Sequence, residues 1–80
     1  MATIQDKAKA LIASKMKLDE SEISEEKNLF SDLGADSLDF VELSLLLESE
    51  FIVKFTEEDT SKIKTVGDVY KLIEKYTKKL

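Results

Sequence analysis

Asp36-Ser-Leu-Asp-Phe-Val-Glu-Leu-Ser-Leu-Leu-Leu-Glu-Ser-Glu-Phe51 reads as a helix carrying more apolar surface than one small core can accept. Asp36 stands at the N-cap, and Asp39 puts a second carboxylate in the first turn, against the positive end of the helix dipole. With Ser37 set at 0° and about 100° added per residue, Phe40, Leu43, Leu47 and Phe51 fall between about 240° and 320°, the stripe a bundle helix needs for its core. Leu38, Val41 and Leu45 fall between about 40° and 100°, ringed by Ser37, Glu42, Glu48 and Ser49. Leu46, near 180°, belongs to neither stripe. Two stripes so far apart cannot both face one core. Either neighbours sandwich this helix on two sides, or the outer stripe is an apolar docking strip whose rim carboxylates set orientation and encounter rate.

Working outward, the chain has no proline and only Gly34 and Gly67, and three-and-four spacing of apolar residues recurs on both sides of this helix. Thr3 caps an opening helix with Ile4, Ala8, Leu11, Ile12 and Met16 on one face, ending near the positive charges of Lys15 and Lys17. Thr56, followed by Glu57, Glu58 and Asp59, starts a short third helix. Thr65 with Asp68 caps a fourth, which buries Val66, Val69, Tyr70 and Ile73 and closes on Lys75, Lys78 and Lys79. Residues 51–55 look strand-like but have no partner strand, so they read as an inter-helix loop. The expected architecture is all-α: a small four-helix bundle of three longer helices and one short one, forming one domain over residues 1–80. A long loop joins helices one and two, pinned by Ile23, Leu29, Phe30 and Leu33.

Composition narrows the chemistry. The 80 residues contain no Cys and no His, which removes disulfides, thiolate nucleophiles, zinc-type ligand sets and the usual general base near neutral pH. The formal charge is −5, but it is unevenly placed: residues 1–18 hold four Lys and one acid, residues 19–59 two Lys and 14 acids, and residues 60–80 six Lys and two acids. A middle segment of net −12 repels nucleic acid and anionic lipid and speeds encounter with basic protein surfaces. No membrane span or signal peptide is legible, so a cytoplasmic monomer is expected, or an organellar one if a transit peptide has been removed. Ser37 is the first helical residue after the cap. Its backbone surroundings suit either an ordinary helix start or a hydroxyl that bears a phosphate, and Gly34 just upstream permits the close approach of another protein. With no His to take its proton, Ser37 reads better as an acceptor of a modification made by another enzyme than as a nucleophile of its own.

The run Asp32-Leu-Gly-Ala-Asp-Ser-Leu-Asp39, with Val41-Glu-Leu43, Glu48-Ser-Glu-Phe51 and Lys62-Ile-Lys-Thr-Val-Gly-Asp68, resembles the acyl carrier proteins of type II fatty acid synthesis. The resemblance spans the whole chain. It implies a non-enzymatic carrier whose Ser37, flanked by Asp36 and Leu38, accepts 4′-phosphopantetheine from coenzyme A through a separate phosphopantetheinyl transferase. It also implies fatty acid synthesis enzymes as partners, with basic patches that would meet Asp39, Val41, Glu42, Leu45 and Glu48. An acyl cavity lined by Leu47, Ile63 and Val69 is implied as well. Thr56 stands where the family commonly has Pro, Phe40 is bulkier than usual, and Lys54 is basic in a commonly acidic stretch. A carrier of a specialised pathway (polyketide, peptide, lipid A or D-alanine transfer) fits the same residues, as does an acidic adaptor whose Ser37 stays bare. An EF-hand does not, because the 19–36 loop lacks alternating oxygen ligands closed by a Glu.

Overall fold

Every helix in the computed structural model, which describes residues 3–77, begins at a reciprocal cap between a Thr or Asp and an Asp three residues on. Helix α1 (Ile4–Met16) opens with the Asp6 amide donating to Thr3 Oγ1 at 3.1 Å and the Thr3 amide to Asp6 Oδ2 at 3.1 Å. Helix α2 (Ser37–Phe51) repeats the device with Asp36 and Asp39, and α3 (Glu57–Ser61) with Thr56 and Asp59. In α4 (Val66–Thr77) the pair is Thr65 and Asp68. Each cap satisfies two amides that the helix itself leaves open, and places a carboxylate where the dipole favours it. Those amides hold the Asp6 and Asp68 carboxyls below the usual carboxylate range.

The core is a single buried cluster. Helix α1 contributes Ala8, Ile12 and Ala13, α2 contributes Leu43 and Leu47, and α4 contributes Val66, Val69, Tyr70, Leu72 and Ile73. Helix α1 packs against both α2 and α4. Its narrow face, small at Ala8 and Ala13, lets the two larger faces approach, and each Leu or Ile buried there is worth roughly 1.5–3 kcal/mol. Tyr70 is the exception in chemistry: its hydroxyl is buried and finds no partner among the described residues. Burial, reinforced by the charges of Glu25, Asp6 and Glu20, pushes that phenol up from its ordinary value.

The long loop is more ordered than its composition suggests. After a 3₁₀ turn at Glu20–Glu22, Ile23 and Leu29 enter the core. Its backbone then pairs with the α3–α4 junction. The Leu29 amide donates to Lys64 O at 2.9 Å, Val66 to Lys27 O at 3.0 Å and Gly67 to Glu25 O at 3.0 Å. An isolated bridge between Asn28 and Thr65 is the only β pairing among the described residues; of the 51–55 run expected to be loop, residues 52–55 are loop and Phe51 closes α2. Gly67 suits this approach, since a Cβ there would press on Glu25 O at 3.2 Å.

Two expectations need correction or restriction. Phe30 is not a core anchor: it remains 38% exposed and leans on Phe40, ring centroids 5.6 Å apart, while Ile23 and Leu29 are buried and Leu33 is partly buried. Period-free loop residues give no warning of which side they present. Lys78 and Lys79, expected to close α4, lie outside the described residues, whereas Lys75 does occupy the last turn.

Candidate functional site

The turn that delivers Ser37 is built around Asn28. Its side-chain oxygen accepts from the amides of Phe30 at 2.8 Å and Ser31 at 3.0 Å, while its own amide donates to Asp32 Oδ2 at 2.7 Å. The Ala35 amide returns to Leu29 O at 2.9 Å, and Ala35 is buried. Between them Gly34 adopts φ +81°, a conformation only glycine enters without strain, and the space where a side chain would stand is open. Asp36 then caps α2, and Ser37 follows as its first residue, exposed. The Ser37 hydroxyl makes no hydrogen bond among the described residues, and the amides of Ser37 and Leu38 find no partner there. A rigid turn therefore presents a free hydroxyl beside two open first-turn amides, at the positive end of a helix.

The outer stripe of α2 is exposed: Leu38 to 65%, Val41 to 52% and Leu45 to 60%, with Leu46 joining it at 43%. On the opposite side Leu43 and Leu47 are buried while Phe40 and Phe51 pack against the core from its edge. The three carboxylates expected on the outer rim are not equivalent. Asp39 Oδ2 accepts from the Asp36 amide, and Lys15 Nζ from the end of α1 lies 3.6 Å from Asp39 Oδ1 and 2.5 Å from Glu42 Oε1. Glu48 Oε2 instead accepts the Phe55 amide at 2.7 Å, tying the end of α2 to the loop that precedes α3.

Leu47, Ile63 and Val69 all belong to the buried cluster, exposed by 2%, 5% and 1%. An open apolar groove along α2 has other walls. It starts one turn beyond Ser37, at Phe40 and Val41, and runs between Ser44, Leu45 and Glu48 on one side and Phe55, Thr56, Glu57 and Thr60 on the other, enclosing about 220 Å³. Two features of α2 and its surroundings carry no signal in the sequence. Ile52 ends α2 with φ 54° and is 89% exposed, an uncommon state for a β-branched residue. Lys15 reads in the sequence only as a dipole partner, since nothing local signals a contact 27 residues away.

With this geometry in view, residues 6–73 match the model of the family described as phosphopantetheine attachment site. The chain is 51% identical over 72 residues to an acyl carrier protein of Thermotoga maritima, covering 90% of this chain and 89% of that one. It belongs to the acyl carrier proteins. An acyl carrier protein of Clostridium perfringens strain SM101 is 47% identical over 74 residues, covering 92% of this chain and 97% of that one. Among solved structures, a chain provisionally described as an acyl carrier protein of Mycobacterium tuberculosis superposes with a TM-score of 0.88 at 34% identity, covering 92% of this chain and 99% of that one.

The chain is thus a carrier and not an enzyme, and its prosthetic group is covalently attached 4′-phosphopantetheine. The residues at the Asn28 turn are compatible with such a group: among the described residues the Ser37 hydroxyl is unbonded, the first-turn amides of Ser37 and Leu38 are open to an anion, and the space beside Gly34 is clear. Among the described residues no helix is long and apolar enough to cross a membrane, and no three acids cluster in a way that could hold a metal ion.

Proposed function

We propose that residues 1–80 form a single carrier domain of fatty acid biosynthesis, with Ser37 the attachment point and Asp36 and Leu38 its immediate supports. The observation that carries this reading is the exposed Ser37 hydroxyl, unbonded among the described residues, on a turn shaped by Gly34 and Asn28. The prosthetic arm supplies a terminal thiol on which acyl groups travel as thioesters. The chain, having no Cys, offers no competing thiol to which an acyl group could migrate.

Docking falls to the outer face of α2. Val41 and Leu45 supply apolar contact, and Asp39, Glu42 and Glu48 supply the charge that draws basic patches on the phosphopantetheinyl transferase and on fatty acid synthesis enzymes. The acyl chain enters by the groove between α2 and α3 and is received against Leu47, Ile63 and Val69, each methylene withdrawn from water contributing about 0.8 kcal/mol before reorganisation. Such a carrier acts as a monomer in the cytoplasm, neither spanning a membrane nor binding nucleic acid. Intact mass after incubation with coenzyme A and a transferase tests the assignment. The parent gains the mass of one phosphopantetheine group and Ser37→Ala gains none while keeping its helical fold. A persistent gain in that variant would move the site elsewhere. The mass of natively purified protein reports the cargo, and anything other than a fatty acyl group would place the carrier in a specialised pathway.

A further inference from the structure

Each carboxylate on the outer rim of α2 already has a partner inside the chain, but only one of those partners can leave cheaply. Asp39 and Glu48 hold the backbone amides of Asp36 and Phe55, which would be left unpaired if the carboxylates turned away. Lys15 is different. Its ammonium sits on another helix, its side chain is 21% exposed, and on leaving Asp39 and Glu42 it returns to water with nothing stranded. It also stands where a partner's cation would stand. Lys15, Glu42, Leu45 and Leu46 together line a shallow, mostly apolar hollow of about 420 Å³ that continues the docking strip.

We propose that Lys15 is an internal counter-ion for the docking face, displaced by a Lys or Arg of the incoming enzyme, and that it thereby sets how basic a partner must be to bind. This rests on the docking role given to α2 above. Glu42, and behind it Asp39, hold the Lys15 ammonium above its ordinary pKa, as expected for an occupied pair. Because docking exchanges one ion pair for another, the partner gains only the difference between them, and weakly basic surfaces gain nothing. Arg at position 15 would span both carboxylates with its planar fork and leave less readily than Lys.

The test is the affinity of the apo chain for a phosphopantetheinyl transferase, by calorimetry at low and at high salt. It compares the parent with Lys15→Met, Lys15→Arg and Lys7→Met, the last a matched charge loss elsewhere on α1. Lys15→Met keeps the apolar stem and is expected to bind about two- to five-fold tighter at low salt, the size of one exposed ion pair. Lys15→Arg is expected to bind more weakly than the parent, Lys7→Met to fall well short of Lys15→Met, and the differences to fade as salt rises. Lys15→Met binding no tighter than Lys7→Met overturns the proposal, and so does Lys15→Arg binding as tightly as the parent, an arm that stands even if the Met variant folds poorly. Absence of binding by every version removes the proposal and the docking reading together. Binding in the expected order without modification of Ser37 removes only the attachment assignment.

Discussion

The Tyr76 hydroxyl donates to the Asp59 carboxylate, so the last turn of α4 grips the third residue of α3. Lys75 Nζ adds a contact at 3.7 Å, and the Tyr76 ring lies against Phe55, centroids 5.9 Å apart. A five-residue helix is too short to persist alone, so this grip and the Thr56 cap keep α3 in place beside the groove.

That grip makes acid sensitivity local. The Tyr76 hydroxyl, and then the Thr56 amide, lower the Asp59 pKa from 3.8 to about 2. A depressed carboxylate stabilises the fold above its unfolded value and loses that contribution as pH falls through the folded one. The window therefore runs from about 4 down to about 2. Asp59→Asn keeps an oxygen for Tyr76 but no charge. Thermal melts at successive pH values should show the variant less stable than the parent near neutrality and the gap closing below about pH 4. A gap constant across the acid range would show that the charge of Asp59 contributes nothing.

Tyr70 offers a prediction of opposite sign. Its ring is wanted in the core, but its hydroxyl is buried without a partner, and an unsatisfied buried polar group costs about 1–3 kcal/mol. Tyr70→Phe keeps the ring and removes the cost. A gain of about 1 kcal/mol would raise the Tm by roughly 4–8 °C in a domain of this size. A lowered Tm would mean that the hydroxyl has a bound water worth keeping.

The elements were legible because their signals are local. The Thr3, Asp36, Thr56 and Thr65 caps and the double stripe of α2 need only neighbours within one or two turns to be read. The turn around Asn28, the exposed side of Phe30, and the reach of Lys15 to Asp39 and Glu42 depend on where distant segments meet, which no periodicity encodes. At the candidate site, Ser37 and the apolar strip could be read from the sequence, but the different partners of the three carboxylates could not. Glu48 looks like any rim acid until the chain folds back and the Phe55 amide finds it.

The charge imbalance predicts a salt response. Residues 19–59 hold 14 acids and two Lys, and cations from the flanks already reach into them: Lys15 to Asp39 and Glu42, Lys62 to Glu58, Lys75 to Asp59. Among the described residues these pairs leave most of the acids unmatched, so repulsion in the compact state, with a radius of gyration of 11.5 Å, exceeds that in the unfolded chain. Raising ionic strength from about 0.01 M to 0.15 M shortens the screening length from roughly 30 Å to 8 Å and should raise the Tm. A falling Tm would mean that screening of the four contacts outweighs relief of the repulsion.

Variants at Glu42 and Glu48 would separate the proposed docking from folding on the same face. Glu42 is exposed and, among the described residues, bonded only to Lys15, so Glu42→Lys leaves no backbone group stranded. It should weaken transferase binding severalfold at low salt, converge on the parent at high salt, and shift the Tm little, as an exposed pair is worth about 1 kcal/mol or less. Glu48→Lys should do more. It orphans the half-buried Phe55 amide, which costs about 1–3 kcal/mol, and it frees the loop that positions α3 along the groove. Its binding defect should therefore persist at high salt and come with a lowered Tm, whereas Glu48→Gln, which still accepts from that amide, should recover the Tm. Melting curves and binding at two salt concentrations for the three variants decide it. Equal behaviour of Glu42→Lys and Glu48→Lys in both measurements would reduce the Phe55 contact to a surface accident.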